Sequence, residues 1–368
     1  MAQTLTPTIL ILTTQTGGGH LNLAQALKDM LGTRYEVAIV DGQPDSYGSF
    51  ITTVSRHFAS YLTWQFILTD NELASYGLHR GLAVLSHRRL HSILERVRPH
   101  LIIATHAFLA YAVARANERQ PRRVPLVFQL TDLGRLHMTW FTEKGADAYL
   151  APTREIFAQA QAQGIAEQRL HLTGRPMRRQ FLQASPALKR ETLAALAFDP
   201  DLFTIFLQGG AKGSAEADRA IEGLLGAGVP MQIILAAGNN QRMAARYAGS
   251  KRVRVLPFTD EIAPYMAAAD VIAGKAGASF ISETFMLEKP FLATSYIPGQ
   301  ETSNLQFIEH HHLGWVCLET SAQKDLLTSI ASNPGMIAEK MDSIRAYKAW
   351  NVQANQHICA IIDRLLKS

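Results

Sequence analysis

Short apolar runs alternate with helix-patterned stretches along most of the chain, and the alternation starts twice from the same signature of strand, glycine turn and helix. The first start is residues 8–14 (TILILTT), which lead through Gly17-Gly18-Gly19 into LNLAQALKDML. Residues 35–41, 101–105, 125–132 and 146–152 repeat the apolar run, with helical sequence between most of them. Continuous apolar strands separated by helices belong to parallel sheets buried on both faces. The pattern begins again at residues 202–208 (LFTIFLQ), which lead into Gly209-Gly210, and continues through 231–238, 253–258, 269–274 and 290–296. The expected fold is therefore α/β, with two doubly wound, Rossmann-like domains. Residues 1–180 form the first domain, 181–200 a connector and 201–335 the second domain. Residues 336–368 form a helical tail with no strand left to pair with, free to pack back on the first domain. Ligands of such sheets bind at the carboxyl ends of the strands, and a central cleft is the default site.

Composition narrows the class of protein. With 47% hydrophobic and 18% charged residues, disorder, collagen and coiled coil are excluded. The net charge of +5 is carried by the first half: 19 basic against 13 acidic residues before residue 185, and 17 against 18 after it. That half should favour an anionic surface or substrate. The two cysteines, Cys317 and Cys359, support neither a disulfide framework nor a Cys/His metal site, which fits a reducing cytoplasm. No basic residue precedes Lys28, so the charged start of a secretory signal is missing. No stretch approaches the ~18 to 20 apolar residues of a membrane span, and any membrane contact should be peripheral.

The strand-end loops hold the candidate chemistry. A glycine turn at a helix N-terminus brings backbone N–H groups close to an anionic or oxygen-rich ligand. His20 follows that turn at the carboxyl end of the first strand, where a side chain titrating near neutrality suits a general base. A tight turn without ligand and a structural histidine are the ordinary alternatives. In the second half, 209–214 (GGAKGS) and 274–279 (GKAGAS) again join strand to helix, with Ser279 expected to cap the latter helix. Two such loops suit a diphosphate, and neither has the spacing of a nucleotide-triphosphatase P-loop. Glu283, one turn into that helix, could accept both hydroxyls of a ribose or simply complement the helix dipole. Gln300 and Glu301, in a turn after residues 290–296, suit sugar hydroxyls. Asp199-Pro200-Asp201 spells a metal-binding pair, but it precedes a strand and reads as a turn. His310, His311 and His312 are adjacent on a helix and cannot converge on one ion.

Through ILTTQTGGGH, TDLGRLHMTWF, TGRPMRRQF, FLQGGAKG, GKAGASFISE and IPGQETSN, in that order, nearly the whole chain resembles the GT-B glycosyltransferases of family 28. The similarity is to their monogalactosyldiacylglycerol synthase and diacylglycerol glucosyltransferase group. The resemblance implies a UDP-sugar held by the second domain, through Arg178, Gly209, Gly210, Phe258, Thr259, Lys275, Gly277, Glu283, Gln300, Glu301 and Asn304. Phe258 and Thr259 would lie near uracil, Glu283 on ribose, Arg178 on the diphosphate, and Gln300 with Glu301 on the sugar. It implies His20 as base, with Asp132 or His137 as backup or orienting partner, and an acceptor path along Gly18, Gly19, Trp64, His137 and Trp140. The implied reaction is inverting transfer of galactose from UDP-galactose to the sn-3 hydroxyl of 1,2-diacylglycerol, with no metal or other cofactor. UDP-glucose is the alternative donor, and a lipid-linked N-acetylglucosaminyltransferase or a nucleotide-sugar epimerase is less favoured. The chain departs from the family at GGAKG, where relatives often read GGSQG or GGGEG.

A lipid acceptor draws attention to the insertion between Asp41 and Arg98. It carries Phe50, Phe58, Tyr61, Trp64 and Phe66, followed by a helix-patterned stretch with Arg80, Arg88, Arg89, Arg96 and Arg98. Aromatic residues beside basic ones suit an anionic membrane surface, with Arg88 and Arg89 as contacts. A helical pair packed on the first domain is the equal alternative. The expected location is the cytoplasmic face of a membrane, peripherally, and no nucleic-acid partner is expected.

Overall fold

The computed structural model describes residues 6–14, 18–43, 66–184, 189–208, 218, 221–223, 225–226, 229–238 and 240–367. Gly209, Gly210 and Trp64 lie outside them. The chain divides into two compact units. Unit 1 comprises Met1–Arg179, Pro298–Ser303 and Trp350–Ser368, and unit 2 comprises Gln180–Ile297 and Asn304–Ala349.

Unit 1 runs β1 (Thr8–Thr13), α1 (Gly18–Leu31), β2 (Glu36–Asp41), α2 (Glu72–Val97), β3 (Leu101–Ala104), α3 (Ala107–Glu118), β4 (Leu126–Gln129), β5 (Ala148–Ala151), α4 (Arg154–Ala162) and β6 (Leu170–Leu172). Its strands form one parallel sheet in the order β2-β1-β3-β4-β5-β6. The order reverses between β1 and β3, and the gap between the loops leaving these two strands is where a doubly wound sheet presents its ligand site. Ile9 to Leu12 are completely buried because both faces of β1 are covered. On one face Leu10 and Leu12 meet Leu90, Leu109 and Val113 of α2 and α3. On the other, Ile9 and Ile11 meet Ala24, Leu27 and Leu31 of α1, together with Ile358, Ile361 and Ile362 from the C-terminal end of the chain.

Unit 2 repeats the plan. After α5 (Arg179–Gln183) and α6 (Lys189–Ala195) come β7 (Phe203–Gln208), β8 (Met231–Ala236), α7 (Gln241–Tyr247), β9 (Val253–Leu256), α8 (Ala263–Ala268), β10 (Val271–Lys275), α9 (Ala278–Met286), β11 (Phe291–Ser295), α10 (Thr302–His310), β12 (Gly314–Val316), α11 (Thr320–Ser332) and α12 (Gly335–Lys367). The sheet is again all parallel, ordered β12-β11-β10-β7-β8-β9, with its reversal between β7 and β10. The α/β class and the two doubly wound sheets are as expected from the repeat of apolar runs. The stretch 181–200 holds α6, whose Leu193 is fully buried, and it is grouped with unit 2. The edge strands β6 and β12 have three residues each and left no recognisable apolar run.

Helix α12 begins in unit 2 and ends in unit 1. Within unit 1, Asn351 is completely buried and accepts the Arg175 N–H (2.7 Å) while donating to the Arg175 carbonyl (3.0 Å). Asn355 donates to the Thr173 carbonyl at 3.0 Å. Gly174, at φ 67°, leaves no room for a side chain, since a Cβ there would sit 2.7 Å from Asn351 Oδ1. These bonds fix the segment after β6 where it passes the site described next. Among the described residues, no helix is long and apolar enough to cross a membrane.

Candidate functional site

In unit 1, the loops leaving β1 and β3 bring His20 and His106 together at the sheet's reversal point. His20 is the third residue of α1, behind Gly18 and Gly19, which are exposed; a Cβ built on Gly18 would touch nothing. The His20 Nδ1 lies 3.0 Å from the Thr105 carbonyl, and its ring centroid is 4.4 Å from that of His106. A carbonyl can only accept, so Nδ1 carries the proton of the neutral ring and Nε2 keeps the lone pair. Burial lowers the His20 pKa to about 4; the Thr105 carbonyl acts in the opposite sense and the Arg175 cation adds to the lowering. At neutral pH the ring is therefore in the form that accepts a proton.

Arg175 is buried, and Nη1 donates to the Thr131 carbonyl. This arginine and His106 are the residues that sequence reasoning missed. The motif TGRPMRR pointed to Arg178, which is half-buried three residues further on. His106 sits at the end of an apolar run just as His20 does, and that position was the available signal. Asp132, after β4, is half-buried and accepts from Thr131 Oγ1 at 3.4 Å.

His137 is buried with both ring nitrogens engaged. Nδ1 accepts the Thr139 N–H at 3.2 Å, and Nε2 faces the Phe66 carbonyl at 3.0 Å. Burial also lowers its pKa, opposed by Asp70 and the Phe66 carbonyl. It thereby braces residues 66–69 against the loop after β4. Trp140 is 3% exposed and belongs to the hydrophobic core of unit 1 with Phe141, rather than to its surface. Arg88 is exposed, whereas Arg89 is turned inward and its Nε donates to the Asp41 carbonyl at 3.1 Å. Gln300 and Glu301 fall in the segment grouped with unit 1, Gln300 half-buried and Glu301 buried.

In unit 2, β10 ends at Lys275 and α9 starts from Gly277, a glycine N-cap that has no side chain of its own to offer the helix start. Ser279 is not the cap: the helix already begins at Ala278, which places Ser279 inside the first turn, buried. A helix N-terminus presents backbone donors and a positive dipole end. Gly274 packs closely on β7, where a Cβ would lie 3.1 Å from that of Gln208. Glu283 is 5% exposed on the same helix, and Asn304 is buried with Nδ2 donating to the Ala276 carbonyl at 3.0 Å. Phe258, at the end of β9, is 68% exposed, and Thr259 Oγ1 accepts the Glu261 N–H at 3.1 Å. β9 and β10 are three strand spacings apart, ~14 Å, across the mouth of the sheet.

Neither sequence-level metal pattern forms a site. Asp199 Oδ1 accepts the Asp201 N–H (2.9 Å), closing a turn, and Asp201 pairs with Arg190 (2.6 Å). His311 packs on Phe307 at 4.4 Å. Among the described residues, no group of three or more His, Cys, Asp or Glu is placed to hold a metal ion.

Comparison with known proteins places the chain. The family model described as monogalactosyldiacylglycerol (MGDG) synthase matches residues 21–177, and that of the glycosyltransferase family 28 C-terminal domain matches residues 204–345. Monogalactosyldiacylglycerol synthase 2, chloroplastic, of Arabidopsis thaliana is 27% identical over 338 residues, covering 84% of this chain and 70% of that protein. The crystal structure of Anabaena HepE in complex with UDP-glucose is similar with a TM-score of 0.59 at 16% identity, over 97% of this chain and 100% of that one. MurG of Acinetobacter baumannii gives a TM-score of 0.59 at 14% identity, over 97% and 99%. At such identities the solved structures speak for the GT-B fold alone. Carrying the monogalactosyldiacylglycerol synthase domain and the glycosyltransferase family 28 C-terminal domain in that order, the chain is similar to the monogalactosyldiacylglycerol synthases and is an enzyme of the hexosyltransferase class.

Proposed function

We propose that the protein transfers galactose from UDP-galactose to the sn-3 hydroxyl of 1,2-diacylglycerol with inversion, with His20 as the general base. The observation that carries this is the His20 ring at the reversal point of the first sheet, its Nδ1 tied to the Thr105 carbonyl and Nε2 left as the basic nitrogen. In a single displacement the lipid hydroxyl oxygen bonds to the anomeric carbon while the bond from that carbon to the β-phosphate oxygen breaks. The hydroxyl proton passes to His20 Nε2, and the bonding pair leaves with UDP. A base of low pKa is weak but fully deprotonated at neutral pH, which suits a step driven mainly by departure of a stabilised diphosphate.

Charge grows on that diphosphate, so donors fixed in advance lower the barrier. The start of α9 at Gly277 presents backbone N–H groups in unit 2, and Lys275 lies beside it. Gly209, Gly210 and Arg178 complete the assignment by family resemblance. The buried carboxylate of Glu283 is assigned to the ribose hydroxyls, the exposed ring of Phe258 to uracil, and Gln300, Glu301 and Asn304 to the sugar. Asp132 and the glycines before His20 border the acceptor.

The acceptor resides in a bilayer, and α2 offers a face for it. Leu73, Arg80, Val84 and Arg88 are exposed and share an arc of ~80° on that helix, with Leu85 beside them. The opposite face, with His79, Leu82, Ser86, Leu90 and Ile93, is buried. Apolar side chains flanked by arginines favour an anionic lipid surface, approached peripherally from the cytoplasmic side. The test is to incubate the protein with dioleoylglycerol vesicles and separately labelled UDP-galactose and UDP-glucose, and to identify the lipid product. Monogalactosyl lipid from UDP-galactose is expected. Glucosyl lipid alone would overturn the donor assignment, and no glycolipid from either donor would overturn the function.

A further inference from the structure

His106 has no part in the chemistry set out above, yet its ring is packed against that of the proposed base. Its own conformation is fixed from two directions. As N-cap of α3, its Nδ1 accepts the Phe108 N–H at 3.2 Å, and its carbonyl accepts the Leu109 N–H at 3.1 Å. The Phe108 ring lies 5.1 Å away on the same turn. With Nδ1 accepting, the neutral ring carries its proton on Nε2. The ring is 9% exposed and faces His20 at 4.4 Å, with the planes inclined by 59°.

The Thr105 carbonyl that holds His20 is equally immobile. The Thr105 N–H donates to the Leu12 carbonyl at 3.0 Å, so the pairing of β1 with β3 sets where the carbonyl stands. The hydrogen bond to that carbonyl sets the tautomer only while the ring stays on it, and a half-buried side chain at a helix start can leave by rotation about its side-chain bonds. A rigid ring packed beside it at 4.4 Å restrains that rotation. Among the described residues, the groups bearing on His20 are the Thr105 carbonyl, the Arg175 cation and the His106 ring, and His79 in turn bears on His106.

We propose that His106 is a positioning residue: its capped ring is the wall that keeps the His20 imidazole on the Thr105 carbonyl, with Nδ1 protonated and Nε2 basic. This rests on the assignment of His20 as base. A purely structural role for His106 would lie in capping α3, and two substitutions separate the roles. His106→Asn keeps a good N-cap acceptor and removes the ring. His106→Phe keeps an aromatic wall and removes the acceptor.

The experiment records ring-nitrogen NMR spectra of histidine-labelled full-length protein, with His20→Ala to assign the His20 signals, and steady-state transfer from UDP-galactose to dioleoylglycerol. In the wild type, His20 should show a protonated Nδ1 and an unprotonated Nε2. His106→Asn should melt close to wild type, lose that single-tautomer signature, and lower kcat by on the order of 10- to 100-fold with KM for UDP-galactose unchanged. His106→Phe should keep the signature and most of kcat while melting lower. A wild-type His20 spectrum and kcat in His106→Asn, or equal loss of kcat in both variants, overturns the proposal. The spectra are taken on resting protein and the turnover of His20→Ala is measured separately, so failure of the base assignment is told apart from failure of the positioning contact.

Discussion

The acidic limb of the pH–rate profile gives a quantitative prediction. An unperturbed histidine base, pKa 6.5, is about one-tenth deprotonated at pH 5.5, so a reaction depending on it would slow about tenfold between pH 8 and pH 5.5. Burial and the nearby Arg175 cation bring His20 to about 4. At that value the ring remains about 97% deprotonated at pH 5.5, and kcat/KM should be almost unchanged over the same interval. The assay is galactosyl transfer to dioleoylglycerol in mixed micelles from pH 4.5 to 8.5, with thermal melts at each pH. The melts matter because His20, His79, His106 and His137 all have pKa values lowered chiefly by burial. For such groups the unfolded chain takes up protons first as pH falls. The stability they support is fully present above about 6.5 and is lost progressively below it, down to about 4 for His20 and His79. A kcat/KM inflection near 6.5 in protein that is still folded would refute the desolvated-base reasoning.

Glu283→Ala removes a buried carboxylate from α9 and should weaken UDP binding by on the order of 10- to 100-fold, read by calorimetry, with no effect on vesicle binding. Asn351→Ala leaves the buried N–H and carbonyl of Arg175 without their side-chain partner, which should cost about 2 to 4 kcal/mol, or roughly 5 to 10 °C in Tm. An unchanged melt would mean that those two bonds contribute nothing net. Arg88→Glu should reduce sedimentation with anionic vesicles and leave UDP binding intact, whereas equal binding by both proteins would show that the exposed face of α2 does not meet lipid.

Much of the architecture could be read from sequence because buried parallel strands are continuous apolar runs, as β1, β3 and β5 are, although the edge strands β2 and β9 are less buried and Arg254 interrupts β9. Edge strands of three residues escape such a reading. His20 was legible because a strand, a glycine turn and a helix start in succession place a side chain at a strand end. Its partner Thr105 lies 85 residues away and becomes a neighbour only through the order of the strands. Arg88 and Arg89 look equivalent in sequence, but one step along a helix turns a side chain by ~100°, so one faces outward and the other reaches Asp41. Trp140 sits in a family motif beside the predicted acceptor loop, yet the short 3-10 turn Met138–Trp140 directs it into the core.

The central claim is inverting transfer to a lipid hydroxyl with His20 as base, and product stereochemistry measured beside the rate of one variant tests it most directly. Wild-type protein, UDP-galactose and dioleoylglycerol should give a β-linked galactolipid, identified by the anomeric proton coupling. His20→Ala should fold normally and make the same product on the order of 100- to 10,000-fold more slowly. An α-linked product, or undiminished turnover by His20→Ala, would contradict it.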